Sequence, residues 1–271
     1  MKKFEGILIC TDLDGTLLRN DKTVSSENIE AIEYFKKEGG YFTFITGRVP
    51  YISMDICKTI NPNAPFGCIN GGGLYDHENG KYIYMKSLPL SVHKITESVE
   101  KELPSVGFQY DMADRIYFCR NNRAMEIFRE RTGVPNIVKD YHTITEQIGK
   151  IIFGTTEEKV MNNLIELIQN HPETSRVDCV RAEKNLYDII PKGTGKGFAM
   201  VALSRHLKVS RTVAIGDYDN DIDMLKSAKV GIAVANATEN VKAVADYITV
   251  SNQEHAIARI ISDIEEGLIK V

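Results

Sequence analysis

At 271 residues, with 43% apolar and 26% charged side chains, the chain can build one large domain or two modest ones around real hydrophobic cores. Its 33 basic residues fall short of its 37 acidic ones, a net charge of −4, which excludes a broad contact with a nucleic-acid backbone. There is no run of about 18 apolar residues to span a bilayer, so no membrane partner is expected.

The opening apolar run Ile7 to Cys10 is too short for a signal peptide and is followed at once by Asp12 and Asp14. Five cysteines (Cys10, Cys57, Cys68, Cys119, Cys179) without close pairing read as free, mostly buried thiols in a reducing cytoplasm. No CxxC pair and only scattered histidines argue against a zinc site.

Gly6 to Thr11 reads as a buried strand that runs into the polar turn Asp12-Leu13-Asp14-Gly15-Thr16. Ser25 or Ser26 can cap a helix with Ile29, Ile32 and Phe35 on one face, stopped by Gly39-Gly40. Tyr41 to Ile45 is a second buried strand, ending at Thr46-Gly47-Arg48. A helix follows over Tyr51 to Ile60, and Phe66 to Ile69 is a third strand, ending at Asn70-Gly71-Gly72-Gly73. Strand, polar loop and helix in repetition predict a parallel sheet covered by helices on both faces, with ligands at the carboxyl ends of its strands.

The rhythm changes in the middle. Helices over Ser91 to Leu103, Asn122 to Thr132 and Glu157 to Asn170 mix with short strands over Arg115 to Cys119, Ile151 to Gly154 and Val177 to Val180, as in an α+β unit. The first pattern then resumes with a helix over Lys196 to Leu207. A strand over Thr212 to Ile215 enters Gly216-Asp217-Tyr218-Asp219-Asn220-Asp221, and strands over Val230 to Val234 and Tyr247 to Val250 follow. The expected fold is therefore α/β, a doubly wound parallel-sheet core of residues 1–85 and 190–271. An α+β cap of residues 86–189 is inserted, with joints near Tyr84 to Leu88 and Asp188 to Gly193.

Asp12 and Asp14, two apart in an extended segment, project to the same side. Close carboxylates repel and require a cation or a shared proton; magnesium, a hard cation, suits them and leaves positions open for phosphate. Taken alone the pair is equally a polar turn after a strand. The second acidic cluster, Asp217 to Asp221, lacks the spacing of an EF-hand. In a parallel sheet it can face the first. Thr46-Gly47 offers a hydroxyl and backbone amides for phosphate, or simply a helix cap. Around Lys196, Pro191-Lys192-Gly193-Thr194-Gly195-Lys196-Gly197 is not a P-loop, because Ile190 and Gly197 stand where that motif needs Gly and Ser or Thr. A lysine in the first turn of a helix opposes the dipole, so an acidic or phosphate partner is expected there.

Asp12-Leu13-Asp14-Gly15-Thr16, Thr46-Gly47-Arg48, Lys196 and Gly216 to Asp221, in this order, resemble the four motifs of the haloacid dehalogenase superfamily. With a large insert between the second and third motifs, the chain resembles the Cof-type (IIB) phosphatases. The resemblance implies a magnesium-dependent phosphatase acting on a small phosphorylated metabolite, a sugar phosphate by family habit. It makes Asp12 the nucleophile that becomes an aspartyl-phosphate and Asp14 the acid and base. It assigns metal binding to Asp12, Asp14 (through its carbonyl) and Asp217, with Asp221 orienting them. It assigns phosphate binding to Leu13, Thr46, Gly47, Lys196 and Asn220. Arg48 and Asn70 are placed to line the same mouth, and Asp219 and Asp223 are left as solvated helix-start carboxylates. A phosphotransferase with the same nucleophile, and a phosphoacceptor domain, are the rival readings. Substrate choice is expected to follow the cap, where Arg115, Arg120, Arg123, Arg181 and Lys184 read as solvated charge.

Overall fold

The computed structural model describes residues 2–271. In chain order, β1 (Ile7–Thr11), α1 (Ser26–Lys37) and β2 (Tyr41–Phe44) open the fold. Every residue of β1 is buried, as its unbroken apolar run requires. Ser25 caps α1 by accepting the Asn28 amide through its hydroxyl. After α2 (Met54–Ile60) come β3 (Phe66–Cys68), β4 (Gly73–Asp76) and β5 (Lys81–Met85). The inserted stretch carries α3 (His93–Glu102), β6 (Gly107–Met112), β7 (Ile116–Arg120), α4 (Arg123–Thr132), β8 (Ile148–Gly154), α5 (Glu158–Asn170), β9 (Val177–Glu183) and β10 (Leu186–Pro191). The chain closes with α6 (Lys196–Leu207), β11 (Arg211–Gly216), α7 (Ile222–Ser227), β12 (Val230–Ala233), α8 (Glu239–Lys242), β13 (Tyr247–Ile248) and α9 (Ala256–Glu265).

These elements form two compact units, one of Met1–Gly47, Ser53–Tyr84 and Gly195–Val271, the other of Arg48–Ile52 and Met85–Thr194. The first holds a five-stranded sheet in the order β13-β12-β11-β1-β2, parallel throughout. Its helices pack in separate pairs, α1 with α9 and α6 with α7. β1 lies between β11 and β2, all parallel, so the loops after β1, β2 and β11 leave the sheet side by side.

The expected third strand does not extend this sheet. Among the described residues β3 shares with it the single bridge Ile45–Gly67, and pairs instead in a small antiparallel sheet, β3-β4-β5. The cause is local. Ile69 and Asn70 adopt left-handed backbone (φ 55° and 49°), which reverses the chain into β4. The β4–β5 hairpin turns over Asn79-Gly80, a pair whose turn preference signals it in the sequence.

The second unit is an antiparallel sheet in the order β7-β6-β8-β10-β9. One face, with Phe108, Tyr110, Ile151, Phe153, Tyr187 and Ile189, joins Ile95, Val99, Leu164 and Ile168 of α3 and α5 in a single apolar core. Among the described residues no helix is long and apolar enough to cross a membrane.

Candidate active site

The site is assembled by strand pairing. Thr11 of β1 lies in register with Ile215 of β11, and the Asp12 amide donates to the Ile215 carbonyl at 2.9 Å. The residues that leave these two strands, Asp12 and Asp217, therefore emerge next to one another. Carboxylate oxygens of Asp12, Asp217 and Asp221 lie within 4.8 Å of one another.

Gly15 makes this approach possible. Its φ is +87°, and a Cβ there would stand 2.4 Å from Asp217 Oδ2, so only glycine fits both the turn and the neighbour. Thr16 then donates its hydroxyl to Asp217 Oδ1 at 2.7 Å.

Lys196, 1% exposed at the start of α6, donates to Asp12 Oδ1 at 2.7 Å and to Asp221 Oδ1 at 2.6 Å. The cation that the helix dipole disfavours is thus held by two buried carboxylates. Asp221 is used on both sides, since its Oδ2 accepts the amides of Asp217 and Tyr218 at 3.0 and 3.1 Å. It thereby orients the Asp217–Asp221 loop. Asp14 stands apart from this cluster, with its Oδ1 accepting from Lys22 Nζ at 2.9 Å.

Charge crowding shows in the acids themselves. Burial, opposed by Lys196 and aided by Asp221, pushes Asp12 up to about 7. Burial, then the Asp12 and Asp221 charges, pushes Asp217 up to about 8. Three carboxylates stand together and the one ammonium pairs with two of them, so the oxygen donor set suits one hard divalent cation.

The loop after β2 forms the remaining wall. Thr46 is buried, its amide donates to the Gly67 carbonyl, and its carbonyl accepts the Asn70 amide at 3.1 Å. Asn220 Nδ2 donates to Asn70 Oδ1 at 3.1 Å, and a Cβ on Gly47 would come within 2.9 Å of that same oxygen. Asn70 thus ties the Thr46-Gly47 loop to the Asp217–Asp221 loop from a left-handed conformation, a strained placement of the kind found at functional sites.

The model for haloacid dehalogenase-like hydrolases matches residues 9–261. The chain belongs to this family. Within it the hydrolase is of the Cof type, a phosphoric monoester hydrolase.

A 5-amino-6-(5-phospho-D-ribitylamino)uracil phosphatase, YitU of Bacillus subtilis, is 28% identical over 94% of this chain and 96% of its own. The chloroplastic endoribonuclease YBEY of Arabidopsis thaliana is 30% identical over 92% of this chain. The hydrolase spans only 45% of that longer relative. The solved subclass IIB sugar phosphatase BT4131 superposes with a TM-score of 0.82, covers 97% of this chain and 99% of its own, and is 24% identical, a likeness of fold.

Other expectations meet mixed outcomes in the hydrolase. Lys192 pairs with Asp178 at 2.8 Å with a largely exposed side chain, whereas Lys196 is the buried lysine among the carboxylates. The Leu13 side chain is fully buried, so only its main chain can reach a phosphate. Arg48 groups with the second unit.

Asp223 is not a simply solvated carboxylate. Its Oδ2 accepts the Gly197 amide at 2.9 Å, and burial raises its pKa. It serves the open first turn of α6, which carries Lys196. Asp219 accepts from the Thr238 hydroxyl at 3.1 Å. Arg115, Arg120, Arg123 and Arg181 each pair with an acidic neighbour. Sequence reading gave no role to Thr16 or Lys22; Thr16, at the end of the first turn, reaches Asp217 of the opposite loop, and Lys22 folds back on Asp14 of its own.

Proposed function

We propose that this hydrolase releases phosphate from a small phosphorylated metabolite, a sugar or polyol phosphate, through a covalent aspartyl-phosphate on Asp12 with magnesium bound. The observation that carries this reading is the buried Lys196 ammonium between Asp12 and Asp221, with Asp217 alongside.

Asp12, the main chain of Asp14, and Asp217 are the residues to hold magnesium. The bound ion would neutralise charge on the phosphoryl group and the carboxylates. Lys196 fixes one oxygen of Asp12 and so fixes the direction of the other, which attacks phosphorus as the bond to the leaving oxygen breaks. Asp14 protonates that leaving oxygen, then takes a proton from the water that hydrolyses the aspartyl-phosphate. In this reading Thr46, Gly47, the Leu13 main chain and Asn220 bind phosphoryl oxygens, supported by the hydrogen bond by which Asn70 orients the Asn220 amide. Residues 86–189 are proposed as the cap that selects substrate. Family membership, together with relatives named as phosphatases, supports the reaction class. Five free cysteines support a cytoplasmic location.

The test is release of phosphate from an aryl phosphate with magnesium present, and its loss in excess chelator. Full activity in chelator would remove the metal from the reading.

A further inference from the structure

Lys22 stands in backbone that lysine seldom adopts. Its φ is 67°, in the left-handed region where a Cβ crowds the main chain and glycine or asparagine is the usual occupant. The turn around it is closed by its own hydrogen bonds. The Lys22 amide donates to the Arg19 carbonyl and the Arg19 amide to the Thr23 carbonyl, each at 2.9 Å. Asp21 Oδ1 accepts the Thr23 amide at 3.0 Å and the Thr23 hydroxyl at 2.6 Å. These bonds make no use of the Lys22 side chain, so glycine at this position would close the same turn with the crowding removed.

The side chain reaches Asp14, where Nζ donates to Oδ1 at 2.9 Å. The pair is open to solvent, with 38% of the Lys22 side chain and 27% of that of Asp14 exposed, and such pairs add little stability. The left-handed backbone takes away at least as much. The main chain beside Asp14 is also fixed without this contact. The Leu17 amide donates to the Asp12 carbonyl and the Leu18 amide to the Leu13 carbonyl, at 3.3 and 2.8 Å, and Asn236 Nδ2 donates to the Gly15 carbonyl at 2.8 Å. What the lysine adds is a hold on one carboxylate, at the cost of backbone strain of the kind that gathers at functional sites.

We propose that Lys22 is a positioning residue for proton transfer by Asp14. The inference rests on the phosphatase reading above, in which Asp14 protonates the leaving oxygen as its bond to phosphorus breaks and later takes a proton from water. Lys22 exchanges no proton in either step. It keeps the Asp14 carboxylate in the orientation from which both transfers occur. Such transfers need an approach of about 2.6–3.2 Å, and a misplacement of about 1 Å costs about 10²-fold in rate. Buried Asp12 is held by packing and by Lys196, whereas the more open Asp14 takes its direction from a second lysine. A leaving oxygen of low basicity departs without a proton, so the contribution of Lys22 grows with the basicity of the leaving group.

The experiment compares kcat/KM for phenyl phosphate with that for p-nitrophenyl phosphate, whose leaving oxygen is far less basic, with magnesium present. In Lys22→Met the ratio of phenyl to nitrophenyl phosphate is expected to fall about tenfold, and in Lys22→Arg to stay within about twofold of wild type, because the guanidinium restores the contact. Lys22→Gly is expected to show the same fall while unfolding at no lower denaturant concentration than wild type, a split that a purely structural lysine would not give. In Asp14→Asn, adding Lys22→Met is expected to leave the ratio unchanged, since the group that Lys22 directs is gone. A ratio within about twofold of wild type, or a raised one, in folded Lys22→Met and Lys22→Gly would overturn the inference and leave the phosphatase reading standing. So would a further fall of the ratio when Lys22→Met is added to Asp14→Asn. Wild type that releases no phosphate from p-nitrophenyl phosphate with magnesium would remove the phosphatase reading, and the inference with it.

Discussion

The Lys196 ammonium donates to Asp12 Oδ1 across 2.7 Å, a buried pair whose members are 184 positions apart in the chain. Lys196→Met would leave Asp12 and Asp221 as buried carboxylates without their cation. Breaking such a pair costs about 3–5 kcal/mol, so the variant is expected to unfold at markedly lower denaturant and to lose nearly all turnover. Lys192→Ala, whose lysine is largely exposed, is expected to change either quantity little. The reverse ranking in denaturation and kinetics would reassign the essential lysine.

The two aspartates of the first loop are expected to separate in kinetics. Asp12→Asn should abolish turnover with the fold intact, since the amide keeps the volume but cannot form the covalent bond to phosphorus. Asp14→Asn should lose about 10²–10⁴ in rate, the usual contribution of a positioned acid or base. Rapid-quench measurement with labelled substrate would show phosphoenzyme persisting in Asp14→Asn. Near-normal turnover in Asp12→Asn would end its assignment as nucleophile.

Asn70 allows backbone strain to be separated from hydrogen bonding. Its φ is 49°, and its Oδ1 accepts from Asn220. Asn70→Gly keeps the left-handed backbone at little steric cost but removes the bond, an expected loss of about 1 kcal/mol. Asn70→Ala removes the same bond and keeps a Cβ in that conformation, which Gly relieves, so it is expected to be about 1–2 kcal/mol less stable than Asn70→Gly. Both are expected to raise KM for phosphate esters by loosening Asn220. Equal stability of the two variants in denaturant titration would contradict the strain account.

Asp111 predicts a pH dependence of stability. Burial, countered by Lys150, raises its carboxyl from 3.8 to about 6 in the folded chain. A raised folded value means that the contribution is fully present below 3.8 and is lost as pH rises through about 6. The change is about 3 kcal/mol at most. Wild type should therefore lose stability relative to Asp111→Asn between pH 4 and 7, read as the difference in denaturant midpoints. A difference constant over that range would mean that Asp111 ionises at its ordinary value.

Much of the first unit was legible in the sequence because its signals are local. Unbroken apolar runs that end in Asp12 and Asp217, a serine before α1, and Lys196 opening α6 each depend on a few consecutive residues. Asp12, Thr46 and Asp217 could be placed at one end of one sheet, since strand-loop-helix repetition fixes strand direction. Even the odd position of Lys196, a cation against a helix dipole, announced an acidic partner before any partner was visible.

The tertiary structure alone decided which of these groups meet. The register of β1 with β11 brings Asp217 to Asp12, while Asp14 turns to Lys22 and Asp221 is consumed by Lys196 and two amides. Strand order likewise sent β3 into a separate hairpin sheet and aligned β6, β8 and β10 so that Gln109, Asp111, Lys150 and Asp188 share one buried face. In β6, Phe108-Gln109-Tyr110-Asp111 alternates in the manner of a strand with one wet face, yet both faces are buried. Alternation tells which side chains share a face. Only the packing of segments distant in sequence determines what that face meets, because sheet register and strand order are set by non-local pairing.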